Sequence, residues 1–442
     1  FINNIYSYFG LGLVILPVFF YSENLQYPSV FTLAPAIGTC LIILFATKET
    51  HVRKILSGKL LVNLGVIAYG LYLWHLPLFV FAKIYLLSDL NFLVSASLIF
   101  LSSVLAYLSW KYIERPFRRR DRITDTNIMS NKKLLVYFTS FFLIIFFCSS
   151  LINLNKNSKI TTELPLEISK SMIRLDPKVN CFDINFAHLK NSEKWFCDMG
   201  PKDQFANFAV IGDSHALALK PVFDVIAKEK NIRGIFTGYS GCIPLLDIYT
   251  VRGDQVERNC KELNEKTFNY IKQNKIKKIY LHSRWSYYTD GSYDGSNFSL
   301  ISKDKAFVSN IEKSRRAFKY GLNKTIERYN KIGVKIIFVH QVPLQLFAAK
   351  NIYLNAIKKD KLNYEKYLYN LSVDYKKHLS LTKFVRNEID LIDKNLIFSE
   401  INLDKFFCDG EKCIIGSSQG SFYSDGGHLS IYGASQVKNI IE

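Results

Sequence analysis

The hydrophobic pattern divides the chain near residue 152. Before that point apolar residues run in long stretches; after it they come in short runs of strand length among Lys-, Asn- and Asp-rich segments. A hydrocarbon layer cannot satisfy an unpaired backbone group, so a spanning segment is expected to be a helix of about 20 mostly apolar residues. Five stretches fit: Ile5 to Tyr21, Val30 to Ala46, Leu60 to Leu86, Phe92 to Ile113 and Leu134 to Ile152.

After residue 205 the period alternates. Residues 207–213, 232–238, 277–283 and 334–340 read as buried strands, and 216–230, 255–274 and about 304–331 as amphipathic helices. The stretch 351–391 reads as mainly helical, and 430–442 as a closing helix. Strands alternating with helices imply right-handed crossovers and a mainly parallel sheet covered on both faces. The predicted architecture is thus a multi-span α-helical membrane segment followed by a three-layer α/β domain. Its parts are four spans (1–120), a basic loop and fifth span (121–152), a polar linker and entry segment (153–205) and the α/β domain (206–442).

Charge adds a topology. Basic residues accumulate on the cytoplasmic side of a membrane. The loop after the second span carries Lys48, Arg53, Lys54 and Lys59, and the loop after the fourth carries Arg115, Arg118, Arg119, Arg120, Arg122, Lys132 and Lys133. The loops near 22–29 and 88–91 carry none. This alternation places everything after residue 153 on the non-cytoplasmic side, with the lipid bilayer as a partner of the first part. The net charge of +19 does not indicate nucleic acid, because the lysines are scattered and the arginine cluster RPFRRRDR lies between two apolar segments. The chain begins at Phe1 without an initiator Met or a cleavable leader, which reads as a fragment of a longer membrane protein.

Six of the eight cysteines lie in the soluble part, where an oxidising compartment favours disulfides. They fall into three local pairs, Cys181 with Cys197, Cys242 with Cys260 and Cys408 with Cys413, the expected choice among 15 possible connectivities, with ordinary buried thiols as the alternative. No Cys-x-x-Cys knuckle or neighbouring His pair points to zinc, and no metal is expected.

The candidate chemistry sits at both ends of the α/β domain. Gly212-Asp213-Ser214-His215 follows the first strand, and Asp425-Gly426-Gly427-His428 lies near the C-terminus. A serine hydroxyl is a weak nucleophile until an imidazole takes its proton and a carboxylate orients that imidazole. Ser214 falls beyond the carboxyl end of a strand and at a helix start, where functional groups gather and free N–H groups favour developing negative charge. Gly-Asp-Ser alone also suits an ordinary turn or helix cap. Its combination with Asp425 and His428 favours chemistry. His215 is not assigned the base role, because a side chain adjacent in a helix start points elsewhere.

These motifs resemble the SGNH hydrolase superfamily, a flavodoxin-like fold. The resemblance implies Ser214 as nucleophile, His428 as general base and Asp425 as its orienting carboxylate. It also implies an oxyanion hole built from the N–H groups of Ser214 and Gly241, the latter in GYSGCIPL. The family's asparagine block has no counterpart after the third strand, which reads LHSRWSYY. Arg284 or Ser283 is the expected replacement there, and Arg284 and Trp285 are candidate substrate-binding residues, with surface packing as the plain alternative.

GVIAYGLYLWHLPL places His75 in or near the end of a span, and WKYIERPFRRR ends the fourth span with Glu114, Arg115 and the helix-stopping Pro116. An aromatic-belt Trp-His pair and a simple cytoplasmic anchor are the plain alternatives. Both strings resemble the acyltransferase 3 family of membrane O-acyltransferases, some of which continue through one extra span into a periplasmic SGNH domain. That family's amino-terminal spans have no counterpart in this chain. The resemblance implies an O-acyltransferase of the bacterial inner membrane, binding no resident cofactor. It would move an acyl group, acetyl from acetyl-CoA, through an acyl-Ser214 ester to an envelope glycan of O-antigen or peptidoglycan type. A membrane-tethered esterase and a non-enzymatic glycan-binding or export subunit are the rival expectations.

Overall fold

The computed structural model describes residues 2–21, 30–86, 90–115, scattered positions between 135 and 150, 164–175, 181–183, 195–250, 260–296, 298–304, 310–393 and 396–442. The chain forms two compact units, Phe1–Thr161 and Thr162–Glu442.

In the first unit the apolar stretches form helices α1 (Ile2–Phe20), α2 (Leu33–Phe45), α3 (Lys59–Leu86) and α4 (Phe92–Ser109). Among the described residues three helices are long and apolar enough to cross a membrane: Ile2–Phe20, Lys59–Lys83 and Phe92–Glu114. The second expected span is a shorter apolar helix, Val30–Phe45. The fifth, 134–152, falls largely outside the described residues, as do Arg118, Arg119, Arg120, Arg122, Lys132 and Lys133. Helix α1 meets α2 where a Cβ on Gly10 would lie 2.8 Å from the Gly38 carbonyl, and one on Gly38 2.6 Å from the Gly10 carbonyl. Missing side chains let the two backbones approach, as small residues do between apolar helices.

The second unit is built on a six-stranded sheet of β1 (Cys197–Met199), β2 (Ala206–Gly212), β3 (Arg233–Gly238), β4 (Lys278–His282), β5 (Lys335–Val339) and β6 (Phe398–Ile401). The order is β1-β3-β2-β4-β5-β6. Only the edge strand β1 is antiparallel. The five parallel strands therefore follow the flavodoxin-like order, whose switch point lies beside the first of them.

Alternate residues of each strand serve opposite faces. Phe208, Val210, Phe236 and Tyr280 pack with Leu217, Val222, Phe223 and Ile226 of helix α5 (Ser214–Glu229). Ala209, Ile211, Ile235 and Ile279 pack with Phe268 and Ile271 of α6 (Cys260–Gln273) and with Phe318, Leu322 and Ile326 of α7 (Ile311–Lys331). Two apolar cores on one sheet explain why the strands read as continuous apolar runs rather than alternating ones.

Several elements differ from expectation. Strands β1 and β6 were not anticipated, because three or four residues such as Phe398–Ile401, half-buried at an edge, carry too little pattern. The stretch 351–391 holds three helices, Ala349–Lys359, Glu365–Leu371 and Tyr375–Asp390, and the closing stretch two short ones, Ile431–Gln436 and Lys438–Ile441. The linker expected over 153–205 joins the α/β unit in part. Ile168 is 2% exposed in its core, and Phe182 bridges to Gly238 beside β3. Three disulfides join Cys181 to Cys197, Cys242 to Cys260 and Cys408 to Cys413.

Candidate active site

Three neighbouring strand ends converge at one point. Gly212 of β2 pairs with Gly238 of β3 on one side and with His282 of β4 on the other. A Cβ on Gly212 would lie 1.7 Å from the His282 carbonyl, and one on Gly238 would lie 2.2 Å from the Gly212 carbonyl. Glycine is required at both positions by this close approach. Ser214, the turn with Gly241, and Ser283 then leave the three strands beside one another at the switch point, where open α/β sheets form their sites.

Asp213 organises that junction. Its Oδ1 caps α5 by accepting the His215 N–H at 2.9 Å, so the cap is Asp213 and Ser214 is the first helical residue. Its Oδ2 accepts the Ser283 hydroxyl at 2.5 Å, the Tyr288 hydroxyl at 3.0 Å and the Arg284 N–H at 3.1 Å. One buried carboxylate thus ties the Ser214 turn to the loop after β4.

Ser214 is joined to the C-terminal motif by hydrogen bonds. Ser214 Oγ lies 2.8 Å from His428 Nε2, and His428 Nδ1 lies 2.8 Å from Asp425 Oδ2. A carboxylate only accepts, so Nδ1 carries the proton and Nε2 is left to accept from the serine. Asp425 Oδ1 accepts the N–H groups of Gly427 and His428, each at 2.8 Å. Burial pushes the Asp425 carboxyl up, but the His428 hydrogen bond and charge, with the two backbone donors, outweigh it and hold it well below the usual carboxylate range.

Gly241 lies in a tight turn closed by the Cys242 N–H on the Tyr239 carbonyl at 3.0 Å, with φ of +67°. That left-handed conformation favours glycine. The turn is held from two sides. Asp183 accepts the Ser240 N–H at 2.6 Å and its hydroxyl at 2.7 Å, and the next residue, Cys242, is bridged to Cys260.

The loop after β4 needs correction against expectation. Trp285 does not line the crevice: it is 1% exposed, donates to the Val339 carbonyl at 2.9 Å and stacks on Phe338. A large apolar ring next to a strand end is drawn into the core beneath it. Ser283 commits its hydroxyl proton to Asp213. The Arg284 guanidinium donates to Ser292 Oγ at 2.7 Å and lies over the Tyr287 ring. Burial lowers its pKa, with Asp213 and Asp425 among the groups acting against this.

Two neighbours of the Ser214–His428–Asp425 hydrogen-bond chain were not expected. His215 is buried and faces the His428 ring at a centroid distance of 4.4 Å. Burial, then the charges of His428 and Arg284, hold it well below its ordinary pKa, so it is neutral. Arg174 reaches Asp425 Oδ2 at 3.3 Å. No sequence signal marks Arg174, which precedes its partner by 251 residues.

In the first unit, His75 Nδ1 meets the Leu71 carbonyl at 3.1 Å, and the ring lines a groove of about 410 Å³ with Tyr72, Phe79 and Ser102. Glu114 ends the π-helical turn Trp110–Glu114, and the Arg115 guanidinium lies over Trp110. Among the described residues no cluster of His, Cys, Asp and Glu could hold a metal ion.

Sheet order, strand-end glycines and the serine–imidazole–carboxylate chain define an SGNH-type α/β domain. The chain belongs to the family of SGNH domains fused to AT3 domains, which it matches over residues 181–442. It is similar in structure to the periplasmic domain of a lipopolysaccharide acetyltransferase from Salmonella ser. Paratyphi A, with 20% identity and a TM-score of 0.41 over 53% of this chain and 82% of that one. A protein described as an acylhydrolase from Bacteroides fragilis is similar at 10% identity and a TM-score of 0.28, over 55% of this chain and 87% of that one. No curated protein matches the chain in sequence.

Proposed function

We propose that the protein is an O-acyltransferase that acetylates a hydroxyl of an envelope glycan through an acyl-Ser214 ester. The observation that carries this reading is the unbroken hydrogen-bond chain Ser214–His428–Asp425 at the sheet's switch point. Membership of a family whose domains are fused to AT3 domains, and the apolar helices before residue 115, favour transfer over simple hydrolysis.

Ser214 Oγ attacks the acyl carbonyl as its proton passes to His428 Nε2, which returns that proton to the departing group. Asp425 stabilises the imidazolium formed between the two events. The Ser214 and Gly241 N–H groups take the charge developing on the carbonyl oxygen. A glycan hydroxyl then gives its proton to His428 and attacks the ester, and His428 reprotonates Ser214 as the ester bond breaks. Water competes for the same ester, so a bound, aligned sugar decides between transfer and hydrolysis. The acyl group comes from cytoplasmic acetyl-CoA by way of the membrane unit, where His75, Glu114 and Arg115 are candidates for its handling.

The test gives the full chain in membranes an activated acetyl ester with and without an O-antigen or peptidoglycan acceptor. Acetylated sugar and an acetyl group on Ser214 by mass spectrometry are expected, and Ser214→Ala should lower the rate by roughly a thousandfold or more. Acetate release alone at saturating acceptor would leave an esterase in place of a transferase. Unchanged activity in Ser214→Ala, with no acyl-serine trapped, would leave a glycan-binding or export subunit.

A further inference from the structure

The geometry points to Arg174 as a positioning residue of the Ser214–His428–Asp425 chain, supplied by a segment that lies outside the matched family domain. The inference rests on the acyl-serine reading above. Arg174 Nη1 donates to Asp425 Oδ2, the same oxygen that accepts the His428 Nδ1–H, while Oδ1 accepts the two backbone N–H groups. Four donors from two distant parts of the chain therefore set the rotation of one carboxylate, and with it the direction in which the imidazole points.

An exposed ion pair usually contributes little, because two mobile side chains must be ordered and water screens them. This one differs in its anchoring. Asp425 is fixed by its own loop, and the backbone beside Arg174 is fixed too. The Ile173 carbonyl accepts the Ile431 N–H at 2.8 Å, and Ser171 Oγ accepts the Ser421 N–H at 2.8 Å. Ile168 is buried in the core, and Met172 and Leu175 pack against it. Ile431 opens the helix that follows the Asp425–His428 loop, so the segment 164–175 clasps that loop at its exit.

The experiment compares the full chain with Arg174→Ala, Arg174→Lys and Ser214→Ala, measuring steady-state hydrolysis of p-nitrophenyl acetate together with the melting temperature. For Arg174→Ala, kcat should fall roughly twofold to tenfold with KM nearly constant. Arg174→Lys should restore most of kcat, with melting unchanged in both. Parental kcat in Arg174→Ala, with Ser214→Ala inactive, overturns the role of Arg174 and leaves the acyl-serine reading intact. A lower kcat with no rescue by lysine also overturns it, marking a structural contact. Activity persisting in Ser214→Ala overturns the underlying reading instead.

Discussion

Asp213 and Asp425 do most of the ordering in the candidate site, one at the strand junction and one in the Ser214–His428–Asp425 hydrogen-bond chain. The sequence motifs Gly-Asp-Ser and Asp-x-x-His marked Ser214, Asp425 and His428 as candidates because serine–imidazole–carboxylate chemistry needs those residue types, and the structure joins the three by hydrogen bonds. The donors gathered by Asp213 were not legible, since Ser283, Arg284 and Tyr288 lie 70 to 75 residues away along the chain. Asp425→Asn should leave the fold intact and lower kcat on an acetyl ester by roughly 10³- to 10⁴-fold, because an amide donor stabilises the wrong imidazole tautomer and no imidazolium. Unchanged steady-state kinetics in that variant would count against the triad.

A second prediction concerns His282, buried at the end of β4. Its Nδ1–H donates to the Val339 carbonyl at 3.1 Å, and Nε2 is buried without a partner. Burial lowers its pKa to about 4. The unfolded chain takes up that proton below about pH 6.5 whereas the folded one does not until about pH 4, so folded stability is present above pH 6.5 and is lost as pH falls towards 4. The loss is on the order of 3 kcal/mol. Denaturant titrations at pH 7, 5.5 and 4.5 should show it, and a His282→Asn variant should have a correspondingly flatter dependence.

At the scale of elements, the site depends on strands meeting without side chains between them. Helix α5 begins at Ser214 because Asp213 caps it, and β2 ends at Gly212 because only glycine fits against the His282 carbonyl. Gly212→Ala would force apart β2 and β4 at their carboxyl ends. A destabilisation of more than about 3 kcal/mol is expected, seen as loss of the cooperative thermal transition or of folded yield. A variant melting like the parent would show that the strand ends can separate cheaply. The four long parallel strands were readable from their apolar runs, because a strand covered on both faces is apolar throughout. Strands β1 and β6 were not, since an edge position demands little of a sequence.

At the scale of the molecule, long apolar helices and basic loops make one topology testable. With the α/β unit outside the cytoplasm, protease added to intact spheroplasts should remove it, while inverted vesicles should protect it. The reverse pattern would remove the transfer reading, since the ester would form on the side where acetyl-CoA already resides. The three disulfides agree with an oxidising environment for this unit.

The sequence by itself determined the division into apolar and α/β parts and the parallel sheet, pointed to the local cysteine pairs among 15 connectivities, and marked Ser214, His428 and Asp425 as candidates, because each is a matter of local period, spacing or residue chemistry. Tertiary structure alone decided how those residues are supported. It turned Trp285 into the core, set His215 against His428, bound the Gly241 turn to Asp183 and brought Arg174 to Asp425. These contacts join residues far apart in the chain, and their partners are chosen by how the loops close over the sheet, which no local pattern records.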